Sequence, residues 1–428
     1  MPRRNLLILL VAATVAIVCH RRLETNRYGR IVVGAMDQIT ERYVQDIPPE
    51  QLYEGALRGM IDRLDDPYSR FISPEELREF NESLNQEFGG VGMEVSQDPE
   101  TRRLKVVAPL YETPAYRAGI RAGDEILRIG GRGTQGLSLR DAVNLMRGPP
   151  GTTITLQVRH IGNDEAVELA LERERIGVDT VLGDTRAPDG TWRFTLPEES
   201  QIGYVRVNAF SQKTGGDLRV VVERLRKAGM RGLILDLRDD PGGLLEAAID
   251  ICDMFLDDGV IVSVRRRTES HTFEAQPADT LPDFPLAVLV NGQSASASEI
   301  VAACLKDHDR AVIVGSRTYG KGTVQQVIDL EANLGALKLT TAQYIRPNGR
   351  NIDRKVGLGD DDDWGVRPSP GMEVELDNQE YTDYRVWRLR RDIPDTGENH
   401  PPEDDDLADF VDRQRQRAVK WLRQQIER

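Results

Sequence analysis

The sequence predicts an α/β core on a mostly parallel sheet, with an inserted β-rich module and a helical N-terminal region. Three observations lead there. Between Ile202 and Val314 short apolar runs alternate with amphipathic stretches, the pattern of buried strands joined by crossover helices. From Phe88 to about Glu172 the texture changes to short strand-like runs and glycine turns. Between about Ile31 and Leu84 apolar positions recur at helical spacing. A chain of 428 residues has room for two or three such units.

At the N-terminus Arg3 and Arg4 precede an unbroken apolar run from Leu6 to Cys19, and His20, Arg21 and Arg22 follow it. A basic start and a short apolar segment match a secretory signal peptide. As a helix the run reaches roughly 21 Å, short of the ~30 Å hydrocarbon core. No A-x-A site follows it, so membrane anchoring by residues 6–19 is the second reading and a buried helix the third. Val18 is too large for a lipoprotein site before Cys19. Export is therefore expected, to a periplasmic or other extracytoplasmic location.

Leu52, Ala56, Met60 and Leu64 mark a helix that Asp65-Asp66-Pro67 ends, and Ser73-Pro74-Glu75-Glu76 starts another with proline at its first position. In the β-rich module, Val91–Val95, Leu104–Ala108, Asp124–Ile129 and Thr153–His160 are strand-like, and Ser138-Leu139-Arg140-Asp141 caps a short helix ending near Gly148. The core follows, with strands at Ile202–Phe210, Leu233–Leu237, Leu286–Val290 and Val312–Val314. Its helices are Gly215–Met230, Leu244–Leu256 and Ala297–Asp307. Leu337–Ile345 adds a strand, Asp360–Asp363 and Glu403–Asp406 are acidic loops, and Leu407–Ile426 suits a terminal helix. The expected segments are thus 1–26 (signal peptide or anchor), 27–87 (helices packing on the core), 88–172 (β-rich module), 173–370 (core) and 371–428 (acidic linker and helix).

Composition narrows the function. With Asp+Glu 70 against Lys+Arg 56, the net charge of −14 repels phosphate backbones, so no nucleic acid partner is expected. Three cysteines, Cys19, Cys252 and Cys304, make no disulfide framework. No H-E-x-x-H pattern is present, and no metal or organic cofactor is implied.

The chemistry concentrates in Asn291-Gly-Gln-Ser294-Ala-Ser296-Ala-Ser298-Glu299, where a strand ends in small residues and a helix begins. That arrangement aims a side chain at the carboxyl edge of the sheet and brings helix N–H groups to it, suited to an oxyanion. Alternating serines also suit a plain helix cap. A nucleophilic serine needs a base, yet none of the five histidines sits in a recognisable catalytic context. A lysine can serve if burial lowers its pKa from ~10.4 by roughly three units. Lys321, between glycines in Thr318-Tyr-Gly-Lys-Gly-Thr-Val-Gln325, is compatible with close backbone packing, or with an exposed turn.

These two stretches, in this order and separation, resemble the C-terminal processing peptidases, also called tail-specific proteases. The resemblance implies that Ser296 is the nucleophile, Lys321 its base and Gln325 the residue orienting that base. It implies a crotonase/ClpP-like sheet for the core. Asp236-Leu-Arg238-Asp-Asp240-Pro241-Gly242-Gly243 is similar to the family's L-R-x-N-P-G-G loop, which offers a glycine N–H to the oxyanion beside that of Ala297. Gly242 and Gly243 are not distinguished at this level. Asp240 stands where asparagine is common, and is expected to point away from the oxyanion. Glu299 and Asp307 occupy acidic positions typical of the family and are taken as supporting groups, or as solvated ones.

Phe88-Gly-Gly-Val-Gly-Met-Glu, with the Gly123 turn and the Ser138 helix, resembles a PDZ domain, which adds a peptide as an extra strand. The resemblance implies that amides around Val91, Gly92 and Met93 hold a terminal carboxylate, and that Ala142, Val143 and Met146 meet the last side chain. The expected partners are proteins or peptides with accessible C-termini. The helical regions before Leu84 and after Leu407 suit either subunit pairing or capping of their own domain, and an activating partner is compatible with both. Two rivals are weighed. Gly315-Ser-Arg-Thr-Tyr-Gly320-Lys321-Gly322 nearly spells a phosphate-binding P-loop, but Gly322 replaces the Ser/Thr and a strand-like run follows. A catalytically silent PDZ scaffold that binds C-termini is the other, and it needs none of Ser296, Lys321 and Gln325.

Overall fold

The chain divides in space into two units, one comprising the chain up to Leu77 with Gln325–Thr340, the other Arg78–Val324 with Thr341–Arg428. The computed structural model describes residues 27–98, 101–187, 190–355, 357–359, 361–393 and 410–428. The apolar N-terminal run and the acidic stretch Glu403–Asp406 lie outside the described residues.

In the first unit, helices Arg27–Arg42 and Pro49–Asp62 precede the strand Arg70–Ile72. That strand pairs antiparallel with the hairpin returning from the core, Phe71 opposite Leu337 and Ile72 opposite Ala336. Phe71 and Ile72 are buried, and the Tyr53 ring packs edge-on against Phe71 at 6.2 Å. Helix Arg27–Arg42 has no buried residue.

In the second unit the β-rich module is a six-stranded antiparallel sheet ordered Met93–Gln97, Leu104–Pro109, Glu125–Ile129, Thr153–Arg159 and Ala166–Glu172, with the short strand Arg132–Gly133 also paired to Glu125–Ile129. Helix Leu139–Met146 starts at Ser138, whose Oγ accepts the Asp141 N–H at 3.1 Å. The first strand begins at Met93 rather than at Val91, a correction with a steric cause. Gly92 has φ +75°, and a Cβ there would stand 2.3 Å from Thr113 Cβ, so the chain turns at this point instead of extending. The module enters and leaves the chain side by side, since Glu87–Gly90 pairs with Glu174–Gly177, Phe88 opposite Ile176. Adjacent ends allow a domain to be inserted without distorting its host.

The core carries four parallel strands, β1 (Glu199–Val207), β2 (Gly232–Asp236), β3 (Leu286–Val290) and β4 (Val312–Gly315), in that order. Short strands Val181–Leu182 and Thr195–Leu196 pair antiparallel with β1. Every residue of β2 and β3 is buried, which is why Leu233–Leu235 and Leu286–Val290 are continuous apolar runs. Leu233, Leu235, Val288 and Ile313 face a core shared with α1 (Thr214–Lys227), α2 (Leu245–Asp253) and α3 (Ala297–Asp307). Ile234, Ala287, Leu289 and Val314 face the other side, closed by Ala418, Val419 and Leu422 of the terminal helix Arg413–Ile426. Three elements were not expected. The strands Val260–Arg266 and Ser270–Glu274 form a hairpin. Helix Asn378–Arg391 buries only Tyr384 and Arg388, polar types that an apolar periodicity does not register.

A buried ionic cluster ties this C-terminal region to the end of β2. Arg238 Nε and Nη2 donate to Asp236 at 2.9 and 2.6 Å, and Nη1 and Nη2 donate to Asp412 at 3.0 and 2.9 Å. Tyr384 stacks on the guanidinium at 4.4 Å, and Tyr204 donates to Asp236 at 2.6 Å. Asp412 also caps the terminal helix through the Arg415 N–H. Removing the shared cation strands two buried carboxylates. Arg238→Met is therefore expected to cost about 3–5 kcal/mol in urea unfolding. A loss under about 1 kcal/mol would mean that the cluster contributes little.

Candidate active site

Strand β3 ends at Val290 and the chain turns through Asn291–Ala295 into α3. Asn291 N–H donates to Ser294 Oγ at 2.9 Å, and that hydroxyl donates to the Leu237 carbonyl at 2.8 Å. The turn is thereby tied to the loop that follows β2. Asp239 and Asn291 exchange two more bonds, at 3.1 and 3.0 Å. Ser296 sits at the start of α3 with φ +57°. This left-handed conformation costs a residue with a side chain roughly 1–3 kcal/mol, and such strain collects where a side chain must be aimed. Ser296 is 7% exposed.

Glu299, one turn into α3 and fully buried, organises the surroundings. Its Oε2 accepts the N–H of Ser296 at 2.9 Å and the N–H of Lys321 at 2.8 Å. Its Oε1 accepts the Gly320 N–H at 2.7 Å and the Thr318 hydroxyl at 2.6 Å. One carboxylate therefore brings together the serine and lysine segments that lie apart in sequence. Burial pushes the Glu299 carboxyl up from the usual range, while its four donors pull the other way.

Lys321 is half-buried, and burial holds its amine below the ordinary lysine value, with Glu299 opposing the shift. The glycines flanking it are close-packed: a Cβ on Gly320 would lie 2.7 Å from Arg354 Cβ, and one on Gly322 would lie 2.3 Å from the Asp353 N. Strand Thr323–Asp329 follows, where a P-loop requires a helix. Gln325 belongs to the other unit, where its amide donates to Thr340 Oγ1 at 3.3 Å.

The Asp240–Gly243 loop lies against the serine turn. A Cβ on Gly242 would stand 2.9 Å from both Ser296 Cβ and the Ala297 N, so only glycine fits. Gly242 gives its N–H to Asp240 Oδ1 at 2.8 Å, whereas Gly243 is exposed. The Asp240 carbonyl accepts the Ala295 N–H and the Ser298 hydroxyl, each at 3.0 Å. Asp307, at the far end of α3, pairs with Arg346 at 2.5 and 2.9 Å and with Asn348, away from Ser296.

Sequence reasoning missed Tyr344. Its side chain is hydrogen-bonded to that of Ser296, its hydroxyl is pushed up to about 12 by burial, and its N–H donates to the Gly322 carbonyl at 2.8 Å. The one available signal was position, on a strand leading back past Lys321. In the β-rich module, Val91, Ala142 and Met146 are buried in its core, with Met93 and Val143 at the margin. The Gly92 carbonyl accepts from Thr113 Oγ1 at 2.7 Å. Met93–Gln97 is an edge strand of its sheet. Among the described residues no cluster of His, Cys, Asp and Glu is arranged to hold a metal ion.

Comparisons with known proteins agree on one family. Residues 201–366 match the model of peptidase family S41, residues 106–160 a PDZ domain, and residues 22–76 the N-terminal domain of the activating protease CtpB. A carboxy-terminal-processing protease of Bartonella bacilliformis is 39% identical over 83% of this chain and 79% of its own. The carboxy-terminal processing protease CtpA of Bacillus subtilis is 33% identical over 79% and 68%. Among solved structures, a photosystem II D1 C-terminal processing protease is 28% identical with a TM-score of 0.46, over 86% of this chain and 98% of that one.

Proposed function

The chain belongs to the carboxy-terminal processing proteases of peptidase family S41, and from that premise we propose a serine endopeptidase with a Ser296–Lys321 dyad, fed by its PDZ domain. The observation that carries the dyad is the single Glu299 oxygen accepting the amides of both Ser296 and Lys321. Neutral Lys321 takes the proton from Ser296 Oγ, the alkoxide attacks a peptide carbonyl, and the protonated lysine returns the proton to the leaving amine. Water then resolves the acyl-enzyme. Gly242 gives its N–H to Asp240, which leaves Gly243 to serve the oxyanion with Ala297. The four parallel strands with α3 behind them are consistent with a crotonase-like core.

The open edge of Met93–Gln97 suits an unstructured C-terminal tail, added as a further strand beside helix Leu139–Met146. The basic and apolar start of the sequence supports export, with residues 6–19 as signal or anchor.

The test is cleavage of unfolded proteins that differ only in their C-terminal residues. The expected result is tail-dependent cleavage whose kcat/KM rises about tenfold per pH unit until Lys321 deprotonates. The sign follows from the roles: protonated lysine is inactive as a base, and burial lowers its pKa, bringing the rising limb toward neutrality. A rate independent of pH between 6 and 10 counts against the lysine base. Binding of tails without cleavage at any pH favours the silent scaffold.

A further inference from the structure

We infer that Asp240 is a positioning residue that works as the neutral acid, standing in for an amide side chain and shutting the oxyanion loop down when it ionises. The kinetic half of this inference rests on the serine-peptidase reading; the protonation half does not.

The geometry is unusual for an aspartate. Asp240 is completely buried, Oδ1 accepts the Gly242 N–H at 2.8 Å, and Oδ2 has no hydrogen-bond partner among the described residues. A carboxylate left in that state is an unpaired buried charge, whereas a neutral acid leaves only one weakly polar group unmatched. The charged neighbours are engaged elsewhere. Arg238 is held by Asp236 and Asp412, Asp239 by Asn291 and Tyr381, and Glu299 by three amides and Thr318. From α3 the group facing Asp240 is the Ser298 hydroxyl, and no charged side chain compensates it. Burial accordingly pushes the carboxyl well above the usual carboxylate range.

A neutral carboxylic acid has nearly the shape of an asparagine side chain. Its carbonyl oxygen holds the Gly242 amide, and Gly242 in turn lies against Ser296 and Ala297. Ionisation would set a negative charge in the loop that must stabilise a developing oxyanion, slowing acylation roughly 10- to 100-fold. The charge state of Asp240 thus sets an alkaline limit, opposite in sign to the rising limb from Lys321.

Asp240→Asn separates the two limbs. With a tail-bearing substrate, the parent is expected to lose at least about 10-fold of its maximal kcat/KM on the alkaline side of its optimum, while the variant keeps the rising limb and loses the falling one. A falling limb that survives unchanged in the variant overturns the gating. In the Ser296→Ala background, melting temperatures test protonation without any activity. An acid whose folded pKa is raised holds its proton in the folded state only, so the parent loses stability as pH rises from about 4 until the folded group ionises. The melting advantage of Asp240→Asn should therefore grow over that range. A constant difference, or a variant that fails to fold, overturns the inference, because asparagine reproduces the neutral acid. A parent that cleaves nothing, with a growing melting advantage, upholds the protonated aspartate and instead removes the peptidase reading.

Discussion

Ser296→Ala is expected to lower kcat/KM for tail-bearing substrates by roughly 10⁴-fold or more, with the fold intact. The side chain lost is the proposed nucleophile and the partner of Tyr344, whereas the anchoring bond uses the backbone N–H, which alanine retains. Alanine at φ +57° is strained to the same degree as serine, so stability should shift by less than about 1 kcal/mol. Single-turnover cleavage and thermal melting check both halves. Cleavage within tenfold of the parent would remove Ser296 from the chemistry. Full loss together with a large drop in melting temperature would assign it a structural role.

Glu299→Gln should have the next largest effect although it only exchanges one carboxylate oxygen for an amide nitrogen. Each carboxylate oxygen accepts two donors, Ser296 and Lys321 on one, Gly320 and Thr318 on the other. An amide NH₂ in either orientation faces two donors and loses both bonds. Leaving two buried groups unmatched costs about 2–5 kcal/mol of stability. Because Ser296 and Lys321 share one oxygen, or are shifted when the other pair is lost, kcat should fall roughly 10²- to 10³-fold with KM little changed. Denaturant unfolding and steady-state kinetics on one preparation decide it. A variant within threefold of the parent in kcat would show that this carboxylate does not hold the dyad in register.

Much of this site was legible in the residues. Helix Ala297–Asp307 and strand Leu286–Val290 have the bounds that apolar pattern and capping residues predict. Both are decided locally, by a buried strand's continuous apolar run and a helix's first turn. The glycines around Lys321 were compatible with close packing or with an exposed turn, and the space at each is too small for a Cβ. The C-terminal region was harder. Helix Asn378–Arg391 buries a tyrosine and an arginine, and such burial becomes favourable only when Asp184 and Asp392 meet that arginine.

Sequence by itself determined the chemical inventory and the local geometry: which serine begins a helix, which lysine lies between glycines, and which strands are wholly buried. Tertiary structure alone decided how those pieces meet. That Glu299 binds two amides far along the chain, that Tyr344 reaches Ser296, and that Arg238 joins the loop after β2 to Asp412 depends on contacts between segments far apart in the chain. Such contacts leave no periodicity, because a hydrogen bond or ion pair requires complementary atoms in space and places no constraint on the residues between them. Asp240 belongs to the same class: the letter in the sequence is an acid, and only its burial against Gly242, without a cation, makes it the neutral group that the site can use.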